Sequence, residues 1–435
     1  MVGGGLGGAL MAVDLGKAGY EVEVYERRQD PRRGGSSAGR SINLAISTRG
    51  IQAMERAGVA REALAVAVPM EGRMIHSREG RLAFQPYGTE AGQAIHSVSR
   101  GDLNQVLIES AERLPGVRVH FGRRCTAVDL DTAAARFEDV ETEESLEVRA
   151  DVLVGADGAY SVVRSQMQKL DRFEYSQSYL SHGYKELHIP AGPRGSFLME
   201  KNALHIWPRG GFMMIALPNH DGSFTCTCFW PHEGPHGFSA LRSPDDVIQY
   251  FGTMFPDALS LMPTLAEDYF RNPTSSLVTV RCSPWRLHDR VVLLGDACHA
   301  VVPFYGQGAN AAFEDCTVLS ECIGESPSDL GRAFARYEAL RKENTDALAD
   351  LAVENFLEMR DRTASRTFLL KKKLEKGLHR LLPFWFLPLY SMVTFSTLPY
   401  ARARKRAKHQ ERWVKACAGA AAGLAILLAL VWAFA

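Results

Sequence analysis

GDACHAVVPFYGQGANAAFEDC, residues 295–316, packs an acidic turn, a proline, two loop glycines and a helix start into one run. The residues before it, Val291, Val292, Leu293 and Leu294, form an apolar, partly β-branched run of the kind buried in a parallel sheet, and Gly295 ends it. Asp296 then stands at a strand end, where its carboxylate can accept a hydrogen bond from a ribityl or ribose hydroxyl. Pro303 stops regular structure, and Gly306-Gln307-Gly308 allows positive φ and close approach of the backbone to a planar ring. Ala309-Asn310 opens the next helix. Its N-terminus carries unpaired N–H groups and about half a positive charge, suited to the anion of a reduced ring. A strand-loop-helix connection with no ligand is the plain alternative; a bound flavin uses every feature of the run.

The N-terminal end repeats the theme. Gly3-Gly4-Gly5-Leu6-Gly7-Gly8 fits G-x-G-x-x-G and leads into the helix-like LGGALMAVDLGKAG. Glu26 ends an alternating strand over 21–25 and lies 18 residues after Gly8, near the ~20 expected of a carboxylate on an adenosine ribose. Alone, the glycine pattern is equally a turn. A third strand over 151–155 closes on Asp157-Gly158, taken singly a tight turn. Strands and helices alternate through this part, which predicts an α/β fold with a parallel, Rossmann-like sheet that binds FAD.

In this order and spacing the three sites closely resemble the single-component FAD-dependent aromatic hydroxylases over nearly the whole chain. Within that group, GRSINLA (39–45), GRMIHS (72–77), PYGTE (86–90), SVSRGDLN (97–104), HGYKEL (182–187), LHIWPR (204–209), FMMIALPN (212–219), ENFLEMRDR (354–362) and FLPLYSMVTFS (386–396) look like the kynurenine 3-monooxygenase family. The resemblance implies bound FAD and NADPH as external reductant. It also implies hydroxylation of L-kynurenine to 3-hydroxykynurenine with O2 through a flavin hydroperoxide. Cofactor-binding positions implied by motif or match are Gly3, Gly5, Gly7, Gly8, Tyr25, Glu26, Arg27, Arg28, Ala45, Arg100, Cys125, Val162, Asp296, Ala309 and Asn310. The amino-acid substrate is implied at Arg73, Tyr87, Asn355 and Tyr390. A guanidinium fork suits an α-carboxylate, and two phenols with an amide complete its hydrogen bonding. Read without the resemblance, Arg73 is a surface ion-pair partner and Tyr390 a core residue. No side-chain nucleophile or acid–base residue is required, because the cofactor carries the hard chemistry. His76 and His299, in apolar runs, are read as hydrogen-bonded structural residues.

With 435 residues and 46% hydrophobic content, the chain can bury a large core. Lys and Arg together number 50, as do Asp and Glu, so no global charge points to nucleic acid. Eight cysteines without C-x-x-C spacing predict reduced thiols and no metal site. The stretch 182–230 reads as antiparallel strands, with Arg209-Gly210-Gly211 as a hairpin turn, forming a floor over the flavin face that binds the aromatic substrate. The expected division is a discontinuous FAD-binding domain (1–72, 100–175, 280–345), a substrate domain (73–99, 176–279) and a helical cap (346–400).

The tail predicts more. Residues 416–435 are twenty uncharged, mainly apolar residues, about 30 Å if helical and enough to span a bilayer. Residues 402–415 hold seven Lys or Arg against one Glu, with Trp413 near the interface. The expectation is therefore a basic juxtamembrane segment (401–415) and a single-pass transmembrane anchor (416–435), with the enzyme facing the cytosol. The membrane is the mitochondrial outer membrane in a eukaryote and the inner membrane in a bacterium. The run 381–400, broken by Pro383, Pro388 and Pro399, reads as a buried cap near the substrate or a segment dipping into the membrane interface, rather than a second span. Only Met1 and Val2 precede Gly3, where a strand of ~5 residues is expected, so a start upstream of Met1 is expected. Other readings of the same motifs are a hydroxylase or epoxidase of another substrate, or a non-catalytic flavoprotein-like membrane protein.

Overall fold

Short apolar runs, buried on both faces, build the first sheet. The computed structural model describes residues 1–33, 43–87, 92–361, 377–379, 382 and 385–434, the side chains of 358–361 and 418–434 excepted. Val22–Tyr25 pairs in parallel with Val117–His120, and Leu153–Gly155 in parallel with Val291–Leu293, which Arg286–Leu287 flanks antiparallel. Val2 joins the two halves by bridging Tyr25 on one side and Gly155 on the other. Its N–H donates to the Val154 carbonyl and the Gly3 N–H to the Tyr25 carbonyl, both at 2.9 Å. Val2 thus stands at the position in the sheet where the strand before Gly3 was expected. Helix Leu6–Lys17 covers this sheet, with Leu10, Met11 and Ala12 fully buried between it and the helices Arg100–Glu112 and Gly308–Glu325.

The second sheet has seven strands, in the order Ser275–Ser283, Glu174–Ile189, Phe224–Pro231, Met213–Pro218, Ala203–Pro208, Gly72–His76, Leu82–Pro86. Every neighbouring pair is antiparallel except Ala203–Pro208 with Gly72–His76. The expected hairpin turns at Gly210, whose φ of 80° suits glycine. The strand expected from 182 begins already at Glu174, because its first half pairs with Ser275–Ser283. Alternation divides this sheet cleanly. Leu187, Trp207, Cys226, Cys228 and Trp230 fill an apolar core on one face with the helices Pro244–Met254 and Leu265–Arg271. The other face carries Arg73, Ile215, Thr227 and Glu186.

Helix Leu330–Asp361 runs into the stretch 346–400 that was expected as a helical cap. The described part of the proline-rich run packs onto it: Met392, Val393 and Tyr400 are fully buried with Leu348 and Leu351. One expectation is overturned. Among the described residues no helix is long and apolar enough to cross a membrane. The transmembrane helix over 416–435 is therefore withdrawn. So are the juxtamembrane role of 401–415, the single-pass anchoring at a mitochondrial outer or bacterial inner membrane with a cytosol-facing enzyme, and the lipid bilayer as partner. The physical reason lies in the helix that carries the run, Tyr400–Phe434. Its first half is charged and docks on the protein: Arg404 pairs with Asp350 and Glu354, and Lys405 with Glu343. The side chains of 418–434 lie outside the described residues.

Candidate active site

The Gly-rich turn is packed from within and open outward. Gly3 has φ +98°, and a Cβ there would lie 2.5 Å from the Ala156 carbonyl oxygen. A Cβ on Gly8 would sit 2.1 Å from the Gly3 carbonyl oxygen, whereas one on Gly5 would meet nothing within 4 Å. The helix therefore starts hard against the sheet, with its N-terminus turned to free space beside Gly5, while a Cβ on Gly7 would meet Ala312 and Leu294 at 3.7 and 3.9 Å. That arrangement suits a pyrophosphate, which needs backbone N–H groups and no intervening side chain. Glu26 is buried at the end of its strand. Its Oε2 accepts from the Gly4 N–H at 2.8 Å and its Oε1 from the Arg28 N–H at 2.9 Å. The carboxylate thus braces the turn as well as standing where a ribose would lie. Arg27 and Arg28 run on into solvent, with Arg28 3.7 Å from Glu26.

Tyr25 is buried between His120 and Phe137, its ring stacked on both. Cys125 is half-buried, and burial with Asp157 nearby pushes its thiol up to about 12, so it is an inert neighbour. Asp157 Oδ2 accepts from the Val162 and Val163 N–H groups at 2.6 and 3.3 Å, capping the next helix. Its Oδ1 is buried without a partner. Arg100 opens the helix whose Asn104 donates to the Gly4 carbonyl at 2.9 Å, so this helix is held over the Gly-rich turn. Asp296 opens a short helix, Asp296–His299, and is exposed. Asn310 is fully buried: its Nδ2 donates to the Ala45 and Gly306 carbonyls at 2.8 and 2.9 Å, and its Oδ1 accepts from the Ser47 N–H at 2.8 Å. Ala45, Ala309 and Asn310, far apart in sequence, share one wall. An open-sided glycine turn, a braced acidic residue and a helix start at Gly308 together fit a flavin dinucleotide.

On the floor, Arg73 lies under two phenols. Its guanidinium carbon is 5.4 Å from the Tyr87 ring centre and 4.8 Å from that of Tyr390. The two rings stack, 5.7 Å apart and 16° from parallel. Arg73 Nε and the Tyr87 hydroxyl are buried without hydrogen-bond partners. Burial raises the Tyr87 phenol well above its ordinary value, so it stays a donor. Unsatisfied donors beside a cation call for an anionic ligand. Around them lies an apolar cluster of Met70, Ile95, Leu217, Ile215 and Phe395, which also holds Ala45 and Tyr87. Positions implied for cofactor and for substrate therefore meet in one apolar chamber. Asn355 reaches the wall from the helix Leu330–Asp361, its Nδ2 donating to the Phe304 carbonyl at 2.7 Å. Tyr305, next in that turn, lies 6.1 Å from Tyr390, ring to ring.

Both histidines have structural partners. His299 pairs with buried Asp315, and His76 bonds Asp257 at 2.6 Å and His205 at 2.8 Å on the far face of the sheet. The sequence reading passed over Glu186, quoted within HGYKEL yet not singled out. It is buried on the chamber face, and burial pushes its carboxyl up to about 8. Its alternation with Leu187 and Ile189 sets it on the polar side of the strand, so the sequence carried no signal that it is buried.

Comparison with known proteins agrees with this geometry. A family model for an FAD binding domain matches residues 1–348. The chain is 49% identical over 403 residues to a kynurenine 3-monooxygenase of Myxococcus xanthus, covering 93% of this chain and 87% of that one. It is 47% identical over 418 residues to that of Dictyostelium discoideum, covering 93% and 89%. Among solved structures, 2-methyl-3-hydroxypyridine-5-carboxylic acid oxygenase superposes with a TM-score of 0.66 at 20% identity, over 85% of this chain and 94% of that one. PqsL of P. aeruginosa does so with a TM-score of 0.66 at 21% identity, over 85% and 98%. These structures share the fold. From the glycine turn, the chamber and the length and identity of these matches together, the chain belongs to the kynurenine 3-monooxygenase family of FAD-binding monooxygenases.

Proposed function

We propose that the chamber between the glycine turn and the Arg73 strand is where this FAD-dependent monooxygenase hydroxylates L-kynurenine to 3-hydroxykynurenine, with NADPH and O2 as co-substrates. The observation that carries the reading is Arg73, with its Nε and the neighbouring Tyr87 hydroxyl unpartnered at one end of an apolar chamber. Arg73 offers the fork for the α-carboxylate, and the Tyr87 and Tyr390 hydroxyls add donors to it. Asn355 belongs to the same set, holding the Phe304 carbonyl in the wall. Binding the amino-acid end there leaves the aryl ring over the apolar side chains of Ile215 and Leu217.

When bound, FAD supplies the redox chemistry that takes two electrons from NADPH and delivers one oxygen atom of O2 to the ring. The residues proposed to hold it are Gly3, Gly5, Gly7 and Gly8 with the helix N-terminus at the pyrophosphate, and Glu26 at the adenosine ribose, flanked by Tyr25, Arg27 and Arg28. Ala45, Arg100, Asp296, Ala309 and Asn310 line the ring and ribityl end, with Cys125 and Val162 as packing neighbours. The same reading supports a discontinuous FAD-binding domain (1–72, 100–175, 280–345), a substrate domain (73–99, 176–279) and a cap over 346–400. The test is product analysis by mass spectrometry after incubating the purified protein with FAD, NADPH, O2 and L-kynurenine. A gain of one oxygen at ring position 3 is expected. NADPH oxidation that yields only hydrogen peroxide would assign the chamber to another aromatic acid.

A further inference from the structure

The chamber floor carries two buried polar atoms that the binding of the substrate leaves unused. Glu186 Oε2 and Thr227 Oγ1 are both buried without a hydrogen-bond partner, in residues 6% and 0% exposed. They are direct cross-strand neighbours, so they share a face, and the row continues through Ile215, Ile206 and Ile75. The alternate residues Leu187, Cys226 and Cys228 fill the core behind, so Glu186 and Thr227 look into the chamber. Leaving two such atoms bare costs roughly 1–3 kcal/mol each, which implies that something polar meets them.

That partner is not a substrate anchored at Arg73. Arg73 lies on the Gly72–His76 strand, four strand spacings from Glu186. At about 4.8 Å per spacing this is ~19 Å. From its carboxylate to the far edge of its ring, an aryl amino acid of this kind spans roughly 9–10 Å, counting bonds of about 1.5 Å. The occupant over Glu186 is then the other molecule the chamber takes. The groups facing the carboxyl are Tyr184 and His188 on its own strand, Thr225 and Thr227 on the next, and Arg100 from the helix above. Lys185 points to the opposite face, where it donates to the Asn272 carbonyl. Burial holds the carboxyl in its acid form near neutrality, with Arg100 opposing. A neutral carboxyl presents one donor beside one acceptor, the complement of a ring edge in which a carbonyl adjoins an N–H; a carboxylate could only accept.

We propose that Glu186, beside Thr227 on the chamber floor, hydrogen-bonds the carbonyl and N–H edge of the FAD ring system. This rests on the reading that the chamber binds FAD. The experiment measures FAD affinity and the absorption spectrum of bound flavin from pH 7 to pH 9 in the full chain and in Glu186→Gln, Glu186→Leu and Thr227→Val. In the unaltered protein FAD affinity should fall about tenfold as the carboxyl ionises and stops donating. Glu186→Gln, which keeps a donor and an acceptor without charge, should hold its pH 7 affinity within about threefold and lose the pH dependence. Glu186→Leu and Thr227→Val should fold, by circular dichroism, yet bind FAD more weakly at pH 7 and shift the flavin spectrum. Affinity and spectrum unchanged from pH 7 to 9 in the unaltered protein, or parental binding by Glu186→Leu, would overturn the proposal while leaving the FAD reading intact. No FAD uptake by the unaltered protein at pH 7 would remove that reading, and the proposal with it.

Discussion

Two residues show how far local chemistry reaches. Arg73 holds its charge beneath two aromatic rings, with its Nε unpartnered, so a planar fork there has geometric as well as electrostatic value. Arg73→Ala is expected to lower kcat/KM for L-kynurenine about 10²–10³-fold, the loss of a charge-assisted pair worth roughly 2–4 kcal/mol. Bound FAD should remain, and a colourless variant would move Arg73 out of the substrate role. Gly8 and Gly5 make the second case. A methyl at Gly8 would collide with a backbone oxygen that cannot yield, whereas one at Gly5 enters open space. Gly8→Ala should therefore lower Tm and lose FAD together. Gly5→Ala should keep its Tm and weaken FAD alone, which thermal unfolding with and without FAD would show.

Behind the substrate floor, strands and a short helix are tied by protons. His205 Nε2 bonds the Glu200 carbonyl at 2.8 Å, so it donates, and His205 Nδ1 must accept. His76 bridges His205, at 2.8 Å, and Asp257, at 2.6 Å, while Trp207 donates to the same carboxylate. This clamps the Arg73 strand and its parallel neighbour to helix Pro256–Leu259. Burial lowers His205 to about 4 from 6.5. Below pH 6.5 the unfolded chain binds the proton that the folded chain refuses, so stability is full above that pH and falls as pH drops towards 4. The expected loss is on the order of 3 kcal/mol. Urea unfolding from pH 4 to 7 should show this slope, and His205→Gln should flatten it; an unchanged slope in that variant would exclude His205 as its source.

Across the whole molecule, a buried charge network ties the flavin-loop helix to the C-terminal elements. Asp315, fully buried, takes His299 and Arg341, while Glu314 takes Arg341 and Arg49. Arg49 lies 4.1 Å from the Tyr400 ring centre, and the Tyr400 hydroxyl donates to Gln307 at 3.0 Å. The loop between Pro303 and Gly308 is thereby held from the start of the Tyr400–Phe434 helix. Asp315→Asn leaves buried cations without a counter-charge and should cost about 3–5 kcal/mol, read by urea unfolding of the FAD-loaded protein. A loss under about 1 kcal/mol would mean that the network is not shielded from water.

Much of this was legible in the sequence because the motifs are local. The glycine turn, Glu26, Asp157-Gly158 and the run from Gly295 each need a few adjacent residues to set a backbone shape, and short apolar runs announce a parallel sheet by themselves. The hairpin at Gly210 was readable for the same reason. The tertiary structure alone decided what depends on distant partners. Val2 bridges the two halves of the sheet only because Tyr25 and Gly155 stand on either side of it, and Asn310 is a brace only because Ala45 folds against it. The tail was misread because hydropathy over 416–435 says nothing of the acidic residues on another helix, Asp350, Glu354 and Glu343, that receive the preceding basic turns. Glu186 went unnoticed for the converse reason. A carboxylate on a strand looks solvent-facing until the cross-strand register shows it beside Thr227, on the inner face of the chamber.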